Sequence, residues 1–280
     1  MEKINKDYKK MFEPGYIGKM KLRNRTIMPA MGTVMANEDQ TLNQYFLDYH
    51  WDRTEGEVGL NILEITSVEK RGQGLPSVPG IWHDKFIPGL ARLTEGIHER
   101  GGKACVQLHH AGRGAYRNII DQQPVGPSAI RAAGTPEAPR ALTRNEVIEV
   151  IEAYGDAAVR AQKADFDCVE VHGGHGYMPL SNQRTDEYGG SFENRARFAE
   201  EIIKNIKQKC GEDFPVIFRL SVSEDLPGGL EKKDTLKIAK MMEEAGADAL
   251  HMTSGNFFDL GAIYKVISPM YVPHGFLMED

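Results

Sequence analysis

The sequence predicts an α/β fold, a TIM (β/α)8-type barrel that is incomplete here, with about six βα units. Three observations lead there. Short apolar runs alternate with longer segments whose apolar residues recur every three or four positions, the pattern of a parallel sheet sheathed by helices. No G-x-G-x-x-G follows the first run, "TIMPAMGTVM", which removes the dinucleotide-binding form of the doubly wound alternative. Polar residues suited to chemistry fall at the C-terminal ends of the runs, where barrels assemble their sites.

Taken in order, the predicted strands are "TIMPAM" (26–31), "GLNILEI" (59–65), "KACVQL" (103–108), "CVEVH" (168–172), "PVIFRLS" (215–221) and "ALHMT" (249–253). Each reads as a buried strand because its apolar residues run nearly unbroken. The helical segments are "LNQYFLDYHWDRTEGE", "FIPGLARLTEGIHERG", "TRNEVIEVIEAYGDAAVRAQKA", "SFENRARFAEEIIKNIKQKCG" and "KDTLKIAKMMEEAG". Thr143 and Glu146 have capping-box spacing at the start of the third, and several segments close on glycine. The "KNIKQK" run reads as a solvated helix face, and "RTDEYGGSFENR" as a tightly hydrogen-bonded loop and helix start. No linker or low-complexity tract divides the chain, so residues 1–280 read as a single barrel domain.

Composition narrows the function. At 41% hydrophobic and 26% charged, the chain is that of an ordinary globular protein, and no apolar run reaches the roughly 20 residues of a transmembrane helix. The start "MEKINKDYKK" lacks the apolar core of a signal peptide, so a cytoplasmic location is expected, with no membrane partner. A net charge of −6 argues against nucleic acid as the main partner. Cys105, Cys168 and Cys210 are odd in number and widely spaced, which favours free thiols over a disulfide framework.

The richest stretch is "VEVHGGHGYM", residues 169–178. Two histidines three apart would face opposite ways on a continued strand, but Gly173 and Gly174 can turn the chain so that His172 and His175 converge. Two ring N–H groups beside a phenol, Tyr177, can polarise a carbonyl oxygen and supply a proton. No third ligand stands at metal-site spacing and H-E-x-x-H is absent, so no metal is expected.

With "FEPGYIGKMKLRNRTIMPAM", "VQLHHAGR", "PVGPSAI", "NQRTDEYGGSFENRARF" and "FRLSV", that stretch resembles, in order and over nearly the whole chain, the old yellow enzyme family of FMN-dependent oxidoreductases. Its branch of 2-enoate and 2,4-dienoyl-CoA reductases looks nearest. The resemblance implies that Pro29, Ala30, Met31 and Gly32 lie along the flavin, that Gln107 hydrogen-bonds its pyrimidine edge, and that Arg219 stands near its N1 region. It implies further that His172 and His175 hold the substrate's carbonyl oxygen and that Tyr177 donates the proton. The implied reaction is reduction of an activated C=C bond, in an α,β-unsaturated carbonyl or enoate, with NADH or NADPH as electron donor.

The chain also departs from the family. The loop after Tyr177 is shorter than in relatives, and Ile65 stands where they often carry a small residue beside the flavin. "SPMYVPHGF" resembles the approach to a seventh strand, so the last two βα units, whose loops hold the FMN phosphate in the family, are expected to be absent. Ligands for the four-cysteine iron–sulfur cluster of longer relatives are expected to be absent from this chain as well. An open barrel exposes strand edges, so a homo-oligomer or a partner chain covering it is expected. The alternative reading is a truncated, non-catalytic remnant or partial subunit that binds flavin weakly or not at all.

Overall fold

A computed structural model describes residues 6–132, 134–175, 182–223 and 229–255. The chain opens with a hairpin, β1 (Gly15–Ile17) and β2 (Met20–Leu22), then enters the main sheet at β3 (Ile27–Met28). There follow α1 (Gln44–Glu55), β4 (Leu60–Ser67), α2 (Ile87–Glu99), β5 (Lys103–His109) and the short α3 (Arg117–Ile120). A two-residue ribbon, β6 (Val125–Gly126) and β7 (Arg140–Ala141), precedes α4 (Arg144–Lys163). The rest is β8 (Cys168–His172), α5 (Phe192–Cys210), β9 (Val216–Ser221), α6 (Lys232–Glu244) and β10 (Ala249–Thr253).

The six-stranded sheet runs β10-β9-β8-β5-β4-β3, every pair parallel. This order never reverses. A doubly wound sheet reverses at its switch point, whereas a barrel adds each strand beside the last, so the sheet is an incomplete α/β barrel. Among the described residues β3 and β10 are its two edges. The predicted elements recur nearly as expected, with one shortening: the first strand ends at Met28 rather than at Met31. Pro29 has no N–H to give a ladder, so the pairing stops there and residues 29–32 run on outside the sheet.

Alternation along each strand divides the core in two. Leu63, Val106, Val169 and Phe218 face outward and pack beneath the helices, with Phe46, Leu90, Val150 and Ile202. Leu60, Ile62, Cys105, Cys168 and Ile217 face inward and meet Ile17, Met20 and Leu22 of the hairpin, which plugs the N-terminal end of the barrel. Two aspartates fasten strand starts by the same device. Asp167, just before β8, accepts from the backbone of Ala104 (2.8 Å), and Asp248, just before β10, from Val216 (2.8 Å).

Helix α4 carries the complete Thr143/Glu146 capping box, and Ser191 caps α5 by accepting from Asn194. The "RTDEYGGSFENR" charges find structural partners: Arg184 pairs with Asp186 and donates to the Leu142 carbonyl, and Glu187 pairs with Arg144 of α4. "KNIKQK" needs correction, because the run is not one solvated face. Lys207 is only 5% exposed; its Nζ donates to the carbonyls of Glu212 and Phe214 and to Asp248 Oδ2 (2.7 Å). Its aliphatic stem is buried while three oxygens satisfy the ammonium; Lys204 and Gln208 are exposed, and Lys209 is half-buried against Glu152 and Asp156. No helix of the described residues is long and apolar enough to cross a membrane.

Candidate active site

Two residues above the apolar plug, the inward positions of the same strands turn polar. Gln107 on β5, Glu170 on β8, Arg219 on β9 and His251 on β10 follow Cys105, Cys168, Ile217 and Ala249 at i+2. Gln107 Nε2 donates to Glu170 Oε1 (2.6 Å), and the other carboxylate oxygen lies 2.6 Å from Nδ1 of His251. Gln107 and Glu170 are both buried. Arg219 Nη1 reaches across the barrel mouth to the carbonyl of Ala30 (3.2 Å).

One step higher stand His109, His172, Ser221 and Thr253. His172 lies between two other imidazoles, its ring 5.4 Å from that of His109 and 5.0 Å from that of His175. Nε2 of His172 is 3.3 Å from Nδ1 of His175, whose Nε2 is 2.9 Å from the Thr253 hydroxyl. His175 takes a left-handed backbone (φ 61), and its N–H donates to the Ser221 hydroxyl at 2.8 Å. Gly173 is demanded by space, since a Cβ there would lie 2.2 Å from the Phe218 ring. The two glycines thus fold the strand end back and bring the histidines together, as the sequence predicts.

Burial sets the charge of this cluster. Desolvation, reinforced by His175, His109 and Arg219, holds the His172 imidazole well below its ordinary range, and burial pushes His109 down to about 3. Both are neutral donors at neutral pH. Burial also lowers the Arg219 guanidinium, with the nearby Glu170 carboxylate opposing that shift. His110 points elsewhere, to Glu69 at 3.1 Å and, as acceptor, to the backbone of Gly112, so it shapes the loop after β5.

The segment expected along the flavin forms a rim. Pro29, Met31 and Gly32 are exposed, Met31 at 61%, while Ala30 is buried. Its continuation is anchored by Glu64, which accepts from the Thr33 backbone and whose carboxyl is raised by burial. A register shift between Leu63 and Ile65 sets Glu64 off the ladder and pairs Ile65 with Gln107. The structure therefore joins Gln107, Arg219, Ala30, His172 and His175 in one mouth. Tyr177 and the short loop after it lie outside the described residues, as does "SPMYVPHGF". Sequence reasoning missed Glu170, His251, Thr253 and the inward turn of His109, although Glu170 shares a strand face with His172 and His109 with Gln107, both of which it named.

These residues fit a cofactor that offers hydrogen-bond acceptors at the barrel mouth. Among the described residues the buried Nε of Arg219 has no hydrogen-bond partner, an unmet donor beside a rim of exposed backbone. An acceptor atom bound over Ala30 would satisfy it. The sequence model of the NADH:flavin oxidoreductase / NADH oxidase family matches residues 10–268. The chain is 44% identical over 253 residues to an NADH oxidase of Thermoanaerobacter brockii, covering 88% of this chain and 39% of that protein. It is 38% identical over 252 residues to an NADPH dehydrogenase of Bacillus cytotoxicus, covering 88% and 71%. Among solved structures, the old yellow enzyme homologue of Zymomonas mobilis superposes with a TM-score of 0.81 at 29% identity, over 90% of this chain and 75% of that one. The chain thus spans well under half of the first relative and about seven-tenths of the second.

Proposed function

Because the chain belongs to the NADH:flavin oxidoreductase / NADH oxidase family, we propose that it reduces an activated C=C bond, in an α,β-unsaturated carbonyl or enoate, with FMN as cofactor and NADH or NADPH as electron source. One observation carries this reading: a pair of buried imidazoles, His172 and His175, converging directly above the Arg219 and Gln107 layer. When bound, FMN supplies hydride chemistry. Arg219 and Gln107 would hold its ring, and the rim from Pro29 to Gly32 would flank it.

The protein's own part is to hold the substrate oxygen. A Thr253 hydroxyl that donates to Nε2 of His175 leaves the ring proton on Nδ1, aimed at the gap shared with Nε2 of His172. An oxygen seated there accepts from both rings, and negative charge growing on it is stabilised in a site shielded from water. Proton delivery to the α carbon is assigned to Tyr177, since a phenol with an ordinary pKa of about 10 keeps its proton at neutral pH. Further strands from a second copy or a partner chain are proposed to cover the two sheet edges. We place this chemistry in the cytoplasm, where free thiols such as the buried Cys105 and Cys168 persist.

The test is a visible absorbance spectrum of purified protein mixed with FMN and passed through a gel-filtration column, then anaerobic NADH or NADPH followed by an enone. Retained flavin that bleaches with the nicotinamide and recovers its colour with the enone supports the proposal. A column fraction without flavin, even from high added FMN, sinks it and favours the non-catalytic remnant.

A further inference from the structure

We propose that Glu170, backed by His251, is a positioning residue that locks the Gln107 amide with its carbonyl oxygen toward the flavin's pyrimidine edge. This rests on the FMN reading above. Glu170 is wholly buried in the middle of β8, an inward carboxylate between Val169 and Val171, and the hydride and proton chemistry does not use it. Both of its oxygens are engaged, one by Gln107 Nε2 and one by His251 Nδ1, each at 2.6 Å.

The lock follows from donor and acceptor types. A carboxylate only accepts, so an amide oxygen turned toward it would set two acceptors face to face; the NH2 group must take that side. Reversing the amide would forfeit a short bond to a charged acceptor, a bias of roughly tenfold to a hundredfold. We assign the amide hydrogen trans to the carbonyl to the Glu170 bond. The carbonyl oxygen and the cis hydrogen then form an outward fork, one acceptor beside one donor. The pyrimidine edge of an isoalloxazine presents an N–H at position 3 flanked by two carbonyls, the complement of that fork. His251 matters because it holds the second carboxylate oxygen and so prevents the group from turning away.

Glu170→Gln inverts the arrangement. The His251 N–H claims the new side chain's oxygen, its NH2 turns to residue 107, and Gln107 must answer with its carbonyl, leaving an N–H opposed to the flavin N–H. Affinities for FMN and for N3-methyl-FMN, measured by fluorescence quenching on the full chain, read this directly. The wild type is expected to prefer FMN by about tenfold, one hydrogen bond, and E170Q to lose that preference. The double variant E170Q/H251L, in which residue 170 is free to offer its carbonyl to Gln107, is expected to regain it, which a purely structural role would not produce.

An E170Q protein that keeps the wild-type preference overturns the proposal, as does a wild type that binds both flavins equally. A wild type that binds neither overturns the FMN reading instead. If E170Q fails to fold, wild type with 15N-labelled FMN decides: a slowly exchanging N3 proton supports an acceptor at Gln107, and exchange as fast as in free FMN overturns it.

Discussion

The barrel interior holds two halves that differ by two residues along the same strands. Below, Cys105, Cys168 and Ile217 close on the hairpin's Ile17, Met20 and Leu22. Above, Gln107, Glu170 and Arg219 take the same inward face, and His109, His172 and Ser221 the next step. Strand geometry is common to both halves, so the side chains alone make the difference. The lower half removes apolar surface from water and stabilises the fold. The upper half buries polar groups that must find partners, at a cost the lower half offsets. Function in this fold occupies the half that contributes least to stability.

Cutting into the lower half should give the largest effect. Leu60 is fully buried against the plug, and Leu60→Ala should lower unfolding free energy by about 2–5 kcal/mol in urea titrations. If it instead leaves stability within 1 kcal/mol of wild type while abolishing flavin binding, the division of labour drawn here is wrong. Arg219→Met makes the opposite cut. It removes a buried charge with an unmet nitrogen, so stability should hold or rise, whereas FMN affinity should fall roughly tenfold to a hundredfold, the loss of a charge-assisted bond. Equilibrium dialysis and a urea curve on the same preparation would show both.

How much of this contrast was legible beforehand follows from what each signal depends on. Periodicity is local, so six strands, five major helices and the convergence of His172 with His175 could be read from neighbouring residues. The end of β3 at Met28 could be read as well, from Pro29, but the apolar composition of "TIMPAM" outweighed it. Glu170 was invisible for another reason. Its partners Gln107 and His251 come from strands far apart in sequence, and only the assembly of the sheet brings them within 2.6 Å. Lys207 misled in the same way, because the oxygens that satisfy it, two carbonyls and Asp248, lie beyond its own helix. Inward glutamates and lysines are signals only once a strand face or helix face has been assigned.

Acid should separate the halves by slope rather than by size. His109 in the upper half is held at about 3 when folded, against about 6.5 when unfolded. Below pH 6.5 the unfolded chain takes up a proton that the folded chain refuses, so stability is complete above that pH and falls as pH drops toward 3. From pH 8 to pH 5 this group alone should cost roughly 2 kcal/mol. His172, lowered in the same direction, adds to the slope. His109→Asn should therefore flatten the dependence of the urea midpoint on pH, while Leu60→Ala, which removes no titrating group, should run parallel to wild type and below it. Parallel lines for all three proteins would mean that burial does not keep the His109 imidazole neutral, and the same desolvation argument would then fail for His172 beside it.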